Sequence, residues 1–205
     1  MSQLITGGKL ILASGSPRRK ELLKKMGLQF EVRPPSVDES QIPADHPRTY
    51  ALRCAYAKAM DVANAAEPGD IVLAADTIVT KEMVIYGKPK DADEARSILR
   101  QLSFRTHQVI TGVAVAQAGK PNVQLNAAET SVTFHNFTDQ MIEAYVQTGS
   151  PLDKAGAYGI QDLGPDYLNY YEGEYSNVVG LPCSLIAEML EQYLPAGFNF
   201  EIPRN

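Results

Sequence analysis

A carboxylate in the middle of an apolar run is the first residue of this chain that demands a chemical reason. Asp76 stands in Ala74-Ala75-Asp76-Thr77-Ile78, inside a stretch from Ile71 to Thr80 dense in valine, isoleucine and threonine. An ionised aspartate buried there costs several kcal/mol, roughly, unless a cation or a metal meets it. The position therefore predicts either a buried ion pair or a strand-end carboxylate facing a cleft, a common place for α/β active sites. Glu39, Lys58 and Lys88 are candidate companions. Hard cations such as magnesium take carboxylate and phosphate oxygens, and lysines act as point charges on phosphate. Two acids and two lysines would compose a site for a nucleotide diphosphate group, provided the fold makes them converge. Read alone, Lys58 on an alanine-rich helix is a snorkelling surface lysine.

The segment Ser14-Gly15-Ser16-Pro17-Arg18-Arg19-Lys20-Glu21 follows a short apolar run, Leu10 to Ala13. A loop feeding a helix N-terminus exposes unpaired amides and a partial positive charge, to which Ser14, Ser16, Arg18 and Arg19 add donors. This is an anion seat, although an ordinary capped basic helix has the same ingredients. Phosphate-loop, dinucleotide-glycine, His-Glu-x-x-His and Gly-x-Ser-x-Gly signatures do not occur. His46, His107 and His135 are too dispersed for a histidine metal cage. Cys54 and Cys183 have apolar neighbours and no metal spacing, which makes core thiols of both.

The elements that must position these groups follow from periodicity and punctuation. Strand Leu10–Ala13 leads to a helix over residues 17–26, with Ser16 to cap it, Pro17 at its first position and Gly27 to end it. A short strand over 30–32 precedes a loop carrying Asp38 and Glu39. An alanine-rich helix over 47–66 follows, then the strand over 71–80 and a helix over 91–102 with Asp91 and Glu94 as a capping box. Extended segments over 107–117 and 123–135 are joined by a turn at 119–122. Thr138 opens a helix that Gly149 closes. The glycine-rich stretch Lys154–Gln161, a hairpin of 167–171 with 175–179 around Glu172-Gly173-Glu174, and a helix over 182–193 complete the chain. Interleaved helices and strands with hairpins predict an α/β fold with a mixed sheet.

Composition narrows the function classes. The chain has 205 residues, 19 Lys and Arg against 24 Asp and Glu, and a net charge of −5. Such an acidic chain is a poor nonspecific nucleic-acid binder. Yet Lys9, Arg18, Arg19, Lys20, Lys24 and Lys25 cluster around the single acid Glu21, a basic island suited to a small polyanion. Apolar runs are far short of the ~20 residues that span a bilayer, and the first eight residues lack a secretory pattern. The expectation is a cytoplasmic protein with no membrane and no nucleic-acid partner.

Taken together the motifs resemble the Maf family from Leu10 to Leu190: Leu12-Ala13-Ser14-Gly15-Ser16-Pro17-Arg18-Arg19, Asp38-Glu39, Ala57-Lys58-Ala59, Ala75-Asp76-Thr77-Ile78-Val79, Gly87-Lys88-Pro89, His107 with Thr111-Gly112-Val113, Asp153 to Gln161, and Asn177 to Pro182. The resemblance implies a single Maf-like domain over 1–205, an elongated two-lobed α/β fold with a central cleft similar to inosine triphosphate pyrophosphatases, and a homodimer. It also implies metal-dependent hydrolysis of a nucleoside triphosphate to monophosphate and pyrophosphate, with magnesium or manganese as the cation. Asp76 is then the proton acceptor, and Glu39 and Asp76 hold the metal. Lys58 and Lys88 bind phosphate with Ser14, Arg18 and Arg19 of the first loop, while Arg18, Thr77 and Gln161 set base preference. The first motif and Gly156-Ala157-Tyr158-Gly159-Ile160-Gln161 are similar to the group acting on dTTP, UTP and modified uridine triphosphates. The competing reading is a nucleotide-binding regulator of cell division that needs no turnover. Phe104 departs from the family, standing where a glycine is usual.

Overall fold

The structure is a computed structural model that describes residues 8–203; the segment 1–7, on which most of the absent secretory pattern was read, lies outside the described residues. Strands β1 (Leu10–Leu12), β2 (Glu31–Val32), β3 (Ile71–Lys81), β4 (Val84–Tyr86), β5 (Thr106–Gln117), β6 (Val123–Phe134) and β7 (Leu168–Glu172) form one mixed sheet. Its order is β2-β1-β3-β5-β6-β7, with β4 pairing β3 beyond the end of β1. β1 runs parallel to β2 and β3, and the other pairs are antiparallel. The helices are α1 (Pro17–Lys25), α2 (Pro47–Ala63), α3 (Ala92–Leu102), α4 (Asp139–Gln147), α5 (Tyr175–Val179) and α6 (Cys183–Leu190). None of the described helices is long and apolar enough to cross a membrane.

The two faces of the sheet are covered differently. On one, α1, α3, α4, α5 and α6 pack large side chains such as Leu23, Leu99, Ile142 and Ile186 against Leu73, Val113 and Phe134. On the other, α2 lies alone over small residues, with Ala55 and Ala59 against Ala13, Ala74, Ala114 and Ala116. Small side chains let helix and sheet approach closely, and at one point even a methyl is too much. A Cβ on Gly112 would stand 2.4 Å from the Ala51 carbonyl oxygen of α2. Gly112 is the cross-strand partner of Asp76, so this close approach of α2 falls beside the carboxylate.

The expected caps are present: Ser16 accepts from the Arg19 amide, Asp91 from Glu94 and Thr138 from Met141. The expected hairpin of 167–171 with 175–179 is half right. Residues 168–172 form β7, which pairs with β6, but 175–179 is the helix α5. Thr130 of β6 explains the turn away from the sheet. Its hydroxyl donates to the Glu174 carbonyl and accepts from the Glu174 amide, both at 3.1 Å. Ser176 then donates to the Glu174 carboxylate and accepts from the Cys183 amide at 3.0 Å. These local side-chain bonds offer the backbone an alternative to a strand ladder, and Gly180, at φ 121°, ends the helix. The hairpin joining β3 to β4 escaped the sequence reading because Glu82 and Met83 hold its positive φ angles of 52° and 69°, where Asn-Gly is the usual signal.

Candidate active site

The β3–β1 ladder ends at Leu73 and the β3–β4 ladder begins at Val79, which leaves residues 74–78 of β3 beside a gap in the sheet. Side chains from both faces of β3 reach this gap. A cleft of about 730 Å³ opens there, within the range of small-molecule sites. All nine positions singled out from the sequence line it: Ser14, Arg18, Arg19, Glu39, Lys58, Asp76, Thr77, Lys88 and Gln161.

Alternation along β3 sends Asp76 toward α2 and Thr77 to the opposite face. On the α2 side, Lys58 donates to Asp76 Oδ1 at 2.5 Å, and the same ammonium lies 2.8 Å from Glu39 Oε1. Burial opposes the charge on Lys58, but Asp76 and Glu39 outweigh it and hold the ammonium above the usual lysine range. The two readings of Asp76, buried ion pair and cleft carboxylate, are thus one arrangement. Glu39 reaches the pair from a short 3-10 turn, Glu39–Gln41, that Asp38 caps by accepting from the Ser40 amide at 3.0 Å.

Cys54 is four residues before Lys58 on α2, and one donor atom each from Glu39, Cys54 and Asp76 lies within 4.8 Å of the other two. Burial pushes its thiol up to about 12, which removes it as a nucleophile. The sequence reading of Cys54 as a core thiol holds for its burial and misses its neighbours. The carboxylate pair suits a hard divalent cation.

On the other face, Thr77 and Arg19 build a neutral-to-cationic network. Arg19 donates to Thr77 Oγ1 at 3.1 Å, to the Gly180 carbonyl at 2.9 Å and to Ser14 Oγ at 3.3 Å. Thr77 and Thr111 share a hydrogen bond of 3.0 Å, and Thr111 donates to the Asn177 carbonyl at 3.2 Å. Burial lowers the Arg19 pKa from its usual value, partly offset by the Asp76 charge. Arg19 lines the cleft, yet its nitrogens bind protein atoms, so it pins the first loop to β3 and to the end of α5. Arg18 points elsewhere: it pairs with Asp153 at 3.3 Å, and Asp153 also holds Lys154 at 2.7 Å.

The sequence reading did not single out Tyr50, Asp153, Lys154 or Tyr158, all of which line the cleft. Asp153, Lys154 and Tyr158 lay within a quoted motif, but no spacing marks them as cleft residues. Tyr158 is anchored from behind by His107, whose Nε2 lies 2.8 Å from its hydroxyl. Burial drives the His107 pKa down to about 3, so this anchor is a neutral imidazole.

A mixed sheet with a phosphate-suited loop at its first strand, and a lysine clamped between two carboxylates at a gap in the ladder, define a class of protein that handles a small polyanion in a cleft. Residues 9–193 match the sequence model of the family described as Maf-like protein, and the chain belongs to that family. Similar proteins bear the name dTTP/UTP pyrophosphatase. The one from Anaeromyxobacter dehalogenans strain 2CP-1 is 48% identical over 93% of this chain and 95% of its own length. Those from Vibrio cholerae and Pyrococcus furiosus are 43% and 44% identical, over 92% and 89% of this chain and 100% and 94% of their own lengths. The solved structure of a HAM1 protein from Coxiella burnetii covers 90% of this chain and 99% of its own with a TM-score of 0.53 at 14% identity. That likeness shows a shared fold and bears out the expected α/β architecture.

Proposed function

We propose that this chain is a nucleoside triphosphate pyrophosphatase that cleaves dTTP, UTP and modified uridine triphosphates between the α and β phosphates. Its service is the clearing of nucleotide pools in the cytoplasm, as the homodimer that the resemblance implies. The observation that carries the reading is the Lys58 ammonium set between Asp76 and Glu39 in a cleft whose other walls bring Ser14, Arg18, Lys88 and Gln161. The names of the relatives supply the substrate class.

In this reading Lys58, Lys88, Arg18 and the first loop bind the triphosphate and stabilise the charge that develops on the departing pyrophosphate. As Lys58 turns onto a phosphate it releases Asp76, whose carboxylate then accepts a proton from the attacking water. Arg18, Thr77 and Gln161, which line the same cleft, set the base preference in this reading. The carboxylates of Glu39 and Asp76 would hold a divalent metal of the magnesium or manganese class. Such an ion, when bound, neutralises the triphosphate and polarises phosphoryl oxygens.

The test is a panel of nucleoside triphosphates assayed for pyrophosphate release with manganese supplied. Thymidine and uridine nucleotides are expected to lead. A guanine preference would overturn the assignment of the base-selecting residues, and inertness toward every triphosphate would overturn the enzyme itself.

A further inference from the structure

The two arginines of the first loop are held by different means. Arg19 is bonded to Thr77, Ser14 and the Gly180 carbonyl. Arg18 makes one side-chain bond among the described residues, from Nη1 to Asp153 Oδ2 at 3.3 Å. A guanidinium has five N–H donors, so this single contact aims Arg18 and leaves its other donors to the cleft. Asp153 is fixed in turn, because its Oδ1 accepts from Lys154 at 2.7 Å. The same ammonium donates to the Ser150 carbonyl at 2.7 Å and hydroxyl at 3.0 Å, and lies 3.3 Å from Asp162 Oδ2. The Lys154 side chain is only 10% exposed, and the segment closes tightly around it. A Cβ on Gly159 would stand 2.7 Å from Lys154 Cε. Between residues 150 and 161 the regular elements are the 3-10 turns Ser150–Asp153 and Ala155–Ala157. What ties the start of this segment to Gln161 at its end is therefore Lys154, bonded to Ser150, Asp153 and Asp162.

We propose that Asp153 is a positioning residue for base selection: anchored by Lys154 on the segment that presents Gln161, it sets the direction of Arg18, so that the two base-selecting side chains keep a fixed relation to each other. The inference rests on the reading that Arg18 and Gln161 set the base preference, and adds the carboxylate through which one is registered to the other. A guanidinium donates and never accepts. A fixed Arg18 therefore suits the O4 acceptor of uracil or thymine and is mismatched to the 4-amino donor of cytosine. A guanidinium free to swing would discriminate less, because it could turn from the amino group to another acceptor. Stability gives the pair little reason to exist, since the Asp153 side chain is 66% exposed and exposed ion pairs contribute little to folding.

The experiment compares kcat/KM for UTP and CTP in the full-length protein, with Tm alongside, for the wild type, Asp153→Ala, Asp153→Asn, Arg18→Ala and the Arg18→Ala/Asp153→Ala double variant. The wild type is expected to favour UTP. Asp153→Ala is expected to lower the UTP-to-CTP ratio about tenfold while Tm hardly moves. Asp153→Asn, which keeps the shape and loses the charge, is expected to lower the ratio by a smaller factor. In the Arg18→Ala background the loss of Asp153 is expected to lower the ratio no further, because it acts through the missing guanidinium. A ratio that survives both substitutions of Asp153, or that falls equally with and without Arg18, overturns the positioning role and leaves the base-selecting reading standing. A ratio that survives Arg18→Ala, or a wild type indifferent between UTP and CTP, removes Arg18 from base selection and the proposal with it.

Discussion

Positions 76 and 77 are adjacent on β3 and live in opposite chemistries. Asp76 faces α2, where one alanine-rich helix covers small residues and the site is an ion pair of 2.5 Å between groups that water hardly reaches. Thr77 faces the many-helix side, where large apolar side chains surround a network of hydroxyls, carbonyls and one guanidinium. Charge that must change partner during a reaction belongs on the first face, because a single ammonium can leave a carboxylate for a phosphate. Geometry that must not change belongs on the second, where each partner has several bonds. On the proposed mechanism one strand serves both chemistry and recognition: its alternation separates the moving charges from the fixed frame.

The sharpest way to break this comparison is Asp76→Asn. The substitution keeps shape and removes the carboxylate that the proposed mechanism uses as proton acceptor, and pyrophosphate release is expected to fall by ~10²–10⁴-fold. The mutant is expected to stay folded, as circular dichroism checks, since Lys58 retains Glu39. A variant that keeps its turnover would show that the α2 face holds the frame and not the chemistry.

Gly112→Ala probes the same face without touching a charge. The added methyl would meet the Ala51 backbone of α2 at 2.4 Å, where no flexible side chain can yield. Overpacking of this kind costs about 1–3 kcal/mol, and the helix that shifts is the one carrying Lys58. Urea unfolding and kcat are expected to fall together. A loss of stability with unchanged kcat would mean that the position of α2 is not what sets the ion pair.

How far the sequence disclosed all this depended on whether a residue's partner was local. Ser16, Asp91 and Thr138 bind amides a few residues away, so their roles could be read directly. Asp76 could be recognised as needing a partner because its own neighbours were apolar, although Lys58 could not be assigned to it from spacing. The misread segment at 175–179 failed for the opposite reason. Its conformation is imposed by Thr130, 44 residues from Glu174, and no local pattern records that. Cys54 is similar: an apolar helix position by sequence, it meets Glu39 and Asp76 only when α2 crosses β3. The site motifs were legible as a set through family resemblance. Their division between two faces of β3 required the sheet register.

The many-helix face can be tested through pH. His107 is buried with its pKa near 3, below the ordinary histidine value of 6.5. Between these values the unfolded chain takes up a proton that the folded one refuses, so stability rises with pH across the window. The neutral anchor is fully favourable above pH ~6.5 and is lost as the pH falls toward 3, by up to ~1.4 kcal/mol per unit. Between pH 7 and pH 5, above most carboxylate titration, the wild-type protein is expected to lose about 2 kcal/mol in urea unfolding through this group. His107→Gln, which can still bond Tyr158, is expected to flatten that loss. An unchanged slope would mean that the imidazole accepts its proton in place, and that the frame behind Tyr158 is less rigid than the α2 comparison supposes.

The smallest effect is expected at a point that touches neither face of β3. Phe104 links α3 to β5 with φ at 54° and is 68% exposed, a left-handed position that favours glycine. A left-handed backbone costs a side-chain-bearing residue about 1–2 kcal/mol, and glycine returns part of that gain through the freedom of the unfolded chain. Phe104→Gly is therefore expected to stabilise by about 0.5–1 kcal/mol, or roughly 2 °C in Tm, with kcat and KM unchanged. Phe104→Ala separates the causes. It removes the exposed ring but keeps the Cβ, so if backbone strain is what the glycine relieves, alanine gives no such rise; an equal rise with alanine would place the cost in the exposed ring and not in the backbone.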